Sequence, residues 1–385
     1  MIIGASFAGS FVAKRLDSLA GAHITLIEKQ EELFVSTSTP RALVKPWFAE
    51  KAFIPLTNLL NPRHQIIHST VISCDLDKVT LGDGTCVRYD YLVIATGTSY
   101  GLPFKLQLES KELTMATLTS YTQLVSDSQE IVVVGGGSVG VEVSSEIKDY
   151  FPLKNITLVC SAPHLLPNNN ASDYTRSRLL SKLKSKNINV RLSTRIIECP
   201  EKGDCIIKGP LMLHTTDGET INADIALFGL GIGAPNIDFC QSLLGRSMNS
   251  RNELIVTDTL QVDLKGCQRI FSLGDVAGTN APKAIPPIYP QADIIAHNIR
   301  AMINRTELKR YIVAPEDIIA VTLSSSDAVA QIPYVPSFIA DTAVATLKGR
   351  VITVSNQRIY SWKRSMLIMD RHPGNSLDFS IYLTC

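Results

Sequence analysis

One motif occurs twice in this chain, imperfectly. Near the start stands Ile2-Ile3-Gly4-Ala5-Ser6-Phe7-Ala8-Gly9, and much later Ile131-Val132-Val133-Val134-Gly135-Gly136-Gly137-Ser138-Val139-Gly140. Each copy is an apolar run, a glycine-bearing turn and an amphipathic stretch. A second apolar run follows each: Ile24-Thr25-Leu26-Ile27 and Ile156-Thr157-Leu158-Val159. Short β-branched runs alternating with helical stretches predict parallel strands joined by crossover helices. A glycine turn between such a strand and helix predicts a cradle for a dinucleotide. Two units in one chain therefore imply two dinucleotides.

The fold class expected is α/β, with two Rossmann-like dinucleotide-binding domains plus a small C-terminal α+β domain. At 385 residues, 45% of them hydrophobic, the chain is long enough for two or three cores. Apolar runs ending in small-residue turns recur at Tyr91–Gly97, Ala223–Gly231 and Arg269–Asp275. The pattern predicts a first, discontinuous domain over 1–103 and 240–310, a second over 104–239, and a C-terminal domain and tail over 311–385. The stretch Pro282 to Pro290 holds four prolines and is expected to be a loop; Gln291 to Ile303 is expected to be a helix.

The first turn, Gly4-x-Ser6-x-x-Gly9, departs from G-x-G-x-x-G only at its middle position. In that pattern the first glycine allows the tight turn, the second admits a pyrophosphate, and the third lets helix and strand pack closely. Serine is small enough for a phosphate to approach the N–H groups at the helix start. Glu28 ends the next strand, where a carboxylate accepts from both hydroxyls of a ribose and repels a 2′-phosphate. The second turn, Gly135-x-Gly137-x-x-Gly140, matches in full. Its following strand ends Val159-Cys160-Ser161, without an acid and without an adjacent arginine, so NADH and NADPH both stay open. Glu142, just after this turn, has two readings: a surface group favoured by the helix dipole, or a group at the nicotinamide end.

Other features narrow the class. The eight cysteines form no C-x-x-C pair, which argues against a zinc ribbon or a dithiol motif; scattered thiols in a long chain point to a reducing compartment. A formal net charge of +1 gives no global reason to bind nucleic acid. No apolar run reaches membrane-spanning length. We expect no secretory leader, since the motif begins at Ile2, and no ordinary myristoylation or prenylation.

The two glycine motifs, Ala95-Thr96-Gly97 and Leu273-Gly274-Asp275 together resemble the pyridine-nucleotide FAD oxidoreductases. The stretch from Gly135 to Lys148 is similar to the ferroptosis-suppressor branch, grouped with apoptosis-inducing-factor-like and type II NADH dehydrogenase proteins. The resemblance implies FAD in the first unit and NADH or NADPH as co-substrate in the second. By it, Gly4, Ser6 and Gly9 hold the FAD pyrophosphate, Glu28 the adenosine ribose, and Asp275 the flavin ribitol. Gly135, Gly137 and Gly140 hold the nicotinamide dinucleotide, and Glu142 sits beside the nicotinamide. It also implies that Arg41 lies near the FAD phosphates and that Lys51 and Lys348 lie near the flavin. The first strand is shorter than the family's, and Met366 to Cys385 has no counterpart in it.

The activity implied is an FAD-dependent NAD(P)H oxidoreductase. The segment from Phe34 to Trp47 contains no cysteine, so a thiol relay is not expected and the acceptor should meet the flavin directly. A quinone-like small molecule fits best. The alternatives are a redox-sensing flavoprotein that acts through partner binding, and a reductase of a small electron-carrier protein. The mixed aromatic and basic stretch Val351 to Arg364 offers peripheral membrane contact or an interface strand. The expected location is the cytoplasm, with association to mitochondria or lipid surfaces.

Overall fold

The computed structural model describes residues 1–104, 110–200, 204–231, 233–314 and 318–346. At its first end, Ile2–Ile3 is the middle strand of a five-stranded parallel sheet. The order is Ile270–Ser272, Leu92–Ile94, Ile2–Ile3, Thr25–Glu28, Gln65–His68. Two residues suffice because Ile2 lies between Leu26 and Val93, and Ile3 between Ile27 and Ile94, with both side chains buried. The outer strand Ile270–Ser272 comes from far along the chain, so the first unit is completed only after the second has been made. Helix Phe7–Leu16 crosses one face of the sheet and packs on helix Ile285–Asn304, with Phe11 stacked on Tyr289 at 4.6 Å.

The second sheet runs Ile188–Arg191, Asn155–Val159, Glu130–Val134, Thr220–Phe228, Ile206–His214, all parallel except the last strand. Its central strand is apolar on both faces, as a parallel strand covered on both sides must be. Helix Ser138–Tyr150 turns Val141, Val143 and Ile147 into that core. Two other regions share the same core. Leu43 and Val44 enter it from the first unit, just after the short helix Thr39–Ala42. Ile319, Val321, Leu323 and Val329 enter it from the hairpin Ile319–Thr322 and Ala328–Gln331. This hairpin and helix Ser337–Val344 are tied to helix Asp173–Ser185 by Lys182 on Asp327 (2.6 Å) and by Arg178 on Asp341. Within 311–385, then, the hairpin and helix Ser337–Val344 join the second unit, whereas Tyr311 packs on the first, its N–H donating to Asp258 O at 2.6 Å.

The proline-rich stretch differs from expectation: the helix begins at Ile285, not after Pro290. Pro286 and Pro287 fall in its first turn, where backbone N–H groups have no intrahelical acceptor and a fixed φ suits the helix. Only Pro290 removes an interior hydrogen bond, and the helix tolerates that one loss.

Candidate functional site

The two turns have the same construction. Gly4 N–H donates to Ile27 O and Gly135 N–H to Val159 O, both at 2.8 Å, which closes each turn against its second strand. Gly4 and Gly135 have φ of +94° and +126°, where a side chain is strained. A Cβ on Gly9 would lie 1.8 Å from Gly4 O, and one on Gly140 1.9 Å from Gly135 O. These glycines are required by the protein itself. Gly137 is different: its φ is −76°, and a Cβ there would meet nothing within 4 Å. The protein's own packing has no need of glycine at this position. What glycine leaves is open space over the N-terminus of helix Ser138–Tyr150, which no side chain caps. Ser6, at the same place in the first unit, is exposed, and its hydroxyl does not cap helix Phe7–Leu16. Both positions fit a phosphate on the open N–H groups.

Glu28 stands against the first turn. Its Oε2 accepts from Ala5 N at 2.8 Å and its Oε1 from Gln30 N at 3.2 Å, leaving about half the acceptor capacity of a carboxylate. Following the shared hydrogen bond, the residue after Val159 is the counterpart of Glu28, and it is Cys160. Its thiol is buried, bonded to His164 O at 3.4 Å, and so close under the turn that a Cβ on Gly136 would lie 2.3 Å from it. The acid of the first unit is replaced by a neutral, buried sulfur.

Asp275 meets the first cradle from the distant end of the chain. Gly274, at φ +74°, comes so near the first helix that a Cβ would lie 3.1 Å from that of Ala8. Its N–H donates to Gln291 Oε1 at 2.9 Å. Thr98 Oγ1 donates to Asp275 Oδ2 at 3.3 Å. Burial, with the Asp275 charge second, pushes the Tyr100 phenol up to about 12. Ala95, Thr96 and Gly97 line the same end of the sheet. Ala95 N–H donates to Ile3 O at 2.9 Å, and Thr96 exchanges hydrogen bonds with Asn236 at 2.7 and 3.0 Å. No local pattern in the sequence marks Gln291, Tyr100 or Asn236.

Helix Ser138–Tyr150 carries two buried carboxylates toward the other units. Glu142 Oε1 accepts from Thr322 N at 3.0 Å and from Thr322 Oγ1 at 3.2 Å, so this acid joins the second cradle to the C-terminal hairpin. The surface reading of Glu142 is thereby excluded, since the residue is 5% exposed. Glu146 Oε1 accepts from Arg41 Nε at 2.9 Å and Nη2 at 2.6 Å. Arg41 also lies over the Phe48 ring, 5.1 Å from its centroid. Its guanidinium thus bridges the two units, and a phosphate there would compete with Glu146. Lys51 is exposed at the end of helix Pro46–Glu50. Lys348 and the Val351 to Arg364 stretch lie outside the described residues. Among the described residues no group of His, Cys, Asp or Glu is arranged to hold a metal ion, and no helix is long and apolar enough to cross a membrane.

Comparison with known proteins agrees with this geometry. The family model described as pyridine nucleotide-disulphide oxidoreductase matches residues 1–293. Apoptosis-inducing factor homolog A of Dictyostelium discoideum is 30% identical over 353 residues, covering 86% of this chain and 84% of that protein. Ferroptosis suppressor protein 1 of Xenopus laevis is 26% identical over 373 residues, 96% of each chain. Among solved structures, the sulfide:quinone oxidoreductase of Aquifex aeolicus superposes with a TM-score of 0.67 at 20% identity, over 86% of this chain and 82% of that one. With two cradles of the required construction and a family match across most of its length, the chain belongs to the pyridine nucleotide-disulphide oxidoreductase family.

Proposed function

We propose that this chain takes reducing equivalents from NAD(P)H and passes them through FAD to a quinone-class acceptor. FAD and NAD(P)H are the cofactors of the family. The observation that carries the reading is the pair of cradles with open helix N-termini, joined by buried contacts in a chain whose Phe34–Trp47 segment has no cysteine. A disulfide relay needs a thiol beside the flavin; direct transfer to a small acceptor needs none. The ferroptosis suppressor covers 96% of the chain, and one protein that shares the fold, the sulfide:quinone oxidoreductase, is named for a quinone acceptor.

In this reading Gly4, Ser6 and Gly9 admit the FAD pyrophosphate, Glu28 holds its adenosine ribose, and Asp275, Gly274 and the Ala95-Thr96-Gly97 turn hold its ribitol end. Gly135, Gly137 and Gly140 admit NAD(P)H, with Glu142 at the nicotinamide end. When bound, the flavin supplies two-electron acceptance of hydride, and the protein supplies position and electrostatics. The test is a visible spectrum of purified protein, anaerobic titration with NADH and NADPH, then turnover with a quinone, an iron–sulfur protein and oxygen. Rapid quinone-dependent oxidation supports the reading. Reduction of only the iron–sulfur protein, or slow turnover with a persistent charge-transfer band, overturns the acceptor assignment.

Glu28→Ala should weaken FAD retention by about tenfold or more, because it removes a charged acceptor from Ala5 N–H and from the ribose together. Flavin absorbance that survives dialysis as in the parent protein would remove Glu28 from the site.

A further inference from the structure

Behind the Asp275 turn lies a charge cluster that the proposed reaction does not use. The Lys283 side chain is 6% exposed. Its Nζ donates to Ala277 O at 2.5 Å and lies 3.2 Å from Glu253 Oε1. The Glu253 side chain is 3% exposed, and its Oε2 accepts from Asn249 Nδ2 at 2.7 Å and from Arg251 Nη2 at 2.9 Å. The backbone holds this group against the turn: Leu254 N–H donates to Val276 O at 2.9 Å, and Gly278 N–H to Leu254 O at 2.8 Å. Lys283 also directly precedes Ala284, the N-cap of helix Ile285–Asn304, which no side chain caps. An ammonium has three N–H groups; this one has two protein acceptors among the described residues.

Burial lowers the Lys283 pKa, while Glu253 first and Asp275 second pull it back up. The Lys283 Nζ bond to Ala277 O, two residues past Asp275, sets the lysine beside the turn that carries the carboxylate assigned to the flavin ribitol. The local charges are Lys283 and Arg251 against Glu253 and Asp275. Arg251 is two-thirds exposed, so water screens it far more than the lysine. Without Lys283, two carboxylates would face only a screened cation.

We propose that Lys283 tunes the flavin. Its fixed positive charge, beside the N-terminal pole of the long helix, favours the negative charge gained when hydride is accepted, and so raises the flavin reduction potential. The inference rests on the FAD assignment above. Hydride carries two electrons and one proton from NAD(P)H, so the acceptor gains one negative charge unless a second proton follows. A cation held in a poorly screened place acts on that charge over several ångströms. Lys283 acts through space, and nothing requires it to touch the ring.

The experiment is a reference-dye measurement of the flavin midpoint potential in the holoprotein and in Lys283→Met, Lys283→Gln and Lys283→Arg. At fixed poise, the ratio of reduced to oxidised flavin should fall about tenfold or more in both neutral variants, roughly 30 mV for a two-electron couple. Lys283→Gln keeps a hydrogen-bond donor and loses the charge, so it separates tuning from bracing. Lys283→Arg should stay within about threefold of the parent, roughly 15 mV by the same conversion. Parent-like potentials in the neutral variants overturn the proposal. Loss of flavin from both neutral variants also overturns it, by making Lys283 a brace. A parent protein without flavin bands, or with flavin that neither nicotinamide reduces, instead sinks the reading on which this one rests.

Discussion

Gly137→Val is expected to raise the NAD(P)H concentration needed for flavin reduction by at least about a hundredfold, while the flavin stays bound and the protein stays folded. The expectation comes from comparing glycines within one turn. Gly140 is fixed because a Cβ there would lie 1.9 Å from Gly135 O, and Gly135 is fixed by its φ of +126°. Substituting either would break the turn, and the result would say nothing about a ligand. Gly137 has an ordinary backbone conformation and no protein atom within 4 Å of a built Cβ. Valine there meets only what enters from outside. Its cost to the fold is that of a poorer helix N-cap, about 1 kcal/mol or less. Anaerobic titration followed by flavin bleaching, with a thermal melt alongside, checks both halves. Bleaching at the parent's nucleotide concentration would mean that no pyrophosphate passes over this turn.

The parts of the molecule legible in the sequence are those decided within a few residues. Gly4, Gly9, Gly135 and Gly140 answer to φ or to an atom at most a few positions away, or on the adjoining strand end, so their spacing alone reveals the cradles. Glu28 is legible because strand and helix lengths in such a unit vary little. The start of the Ile285–Asn304 helix is hard to see in the sequence because four prolines look like a loop until the first-turn exemption is applied. The partners were hidden for another reason. Arg41 and Glu146 are 105 positions apart, and Glu142 and Thr322 are 180 apart. Nothing local to Arg41 says that its acceptor lies on the helix of the other unit. Nor does anything near Lys283 announce Glu253, which the chain brings up on a strip beside the Asp275 turn. The resemblance named Arg41 and Glu142 as site residues, and the structure adds what else holds them. Both tie the second cradle's helix to a neighbouring part of the chain, so the relative placement of the two cradles depends on buried polar contacts.

That dependence yields a second large effect. Arg41→Met should destabilise the protein by about 3–5 kcal/mol, lowering the thermal midpoint by roughly 4–6 °C. Arg41 Nε and Nη2 both donate to one oxygen, Glu146 Oε1, while among the described residues Glu146 Oε2 has no hydrogen-bond partner, nor do the hydroxyls of Thr39 and Ser145. The junction is already short of partners. Methionine preserves much of the volume over Phe48 and removes the charge, leaving a carboxylate whose side chain is 2% exposed with no cation. The penalty is that of an uncompensated buried charge, which exceeds what the pair itself contributes, because forming the pair already required desolvating both partners. The second substitution, Glu146→Leu in the Arg41→Met background, should therefore recover most of the loss, since two apolar side chains replace a buried pair at little net cost. Melts of the parent, both single variants and the double variant form the cycle. A single Arg41→Met variant that melts within a degree of the parent, or a double variant no better than the single, would show that the two units are held together elsewhere.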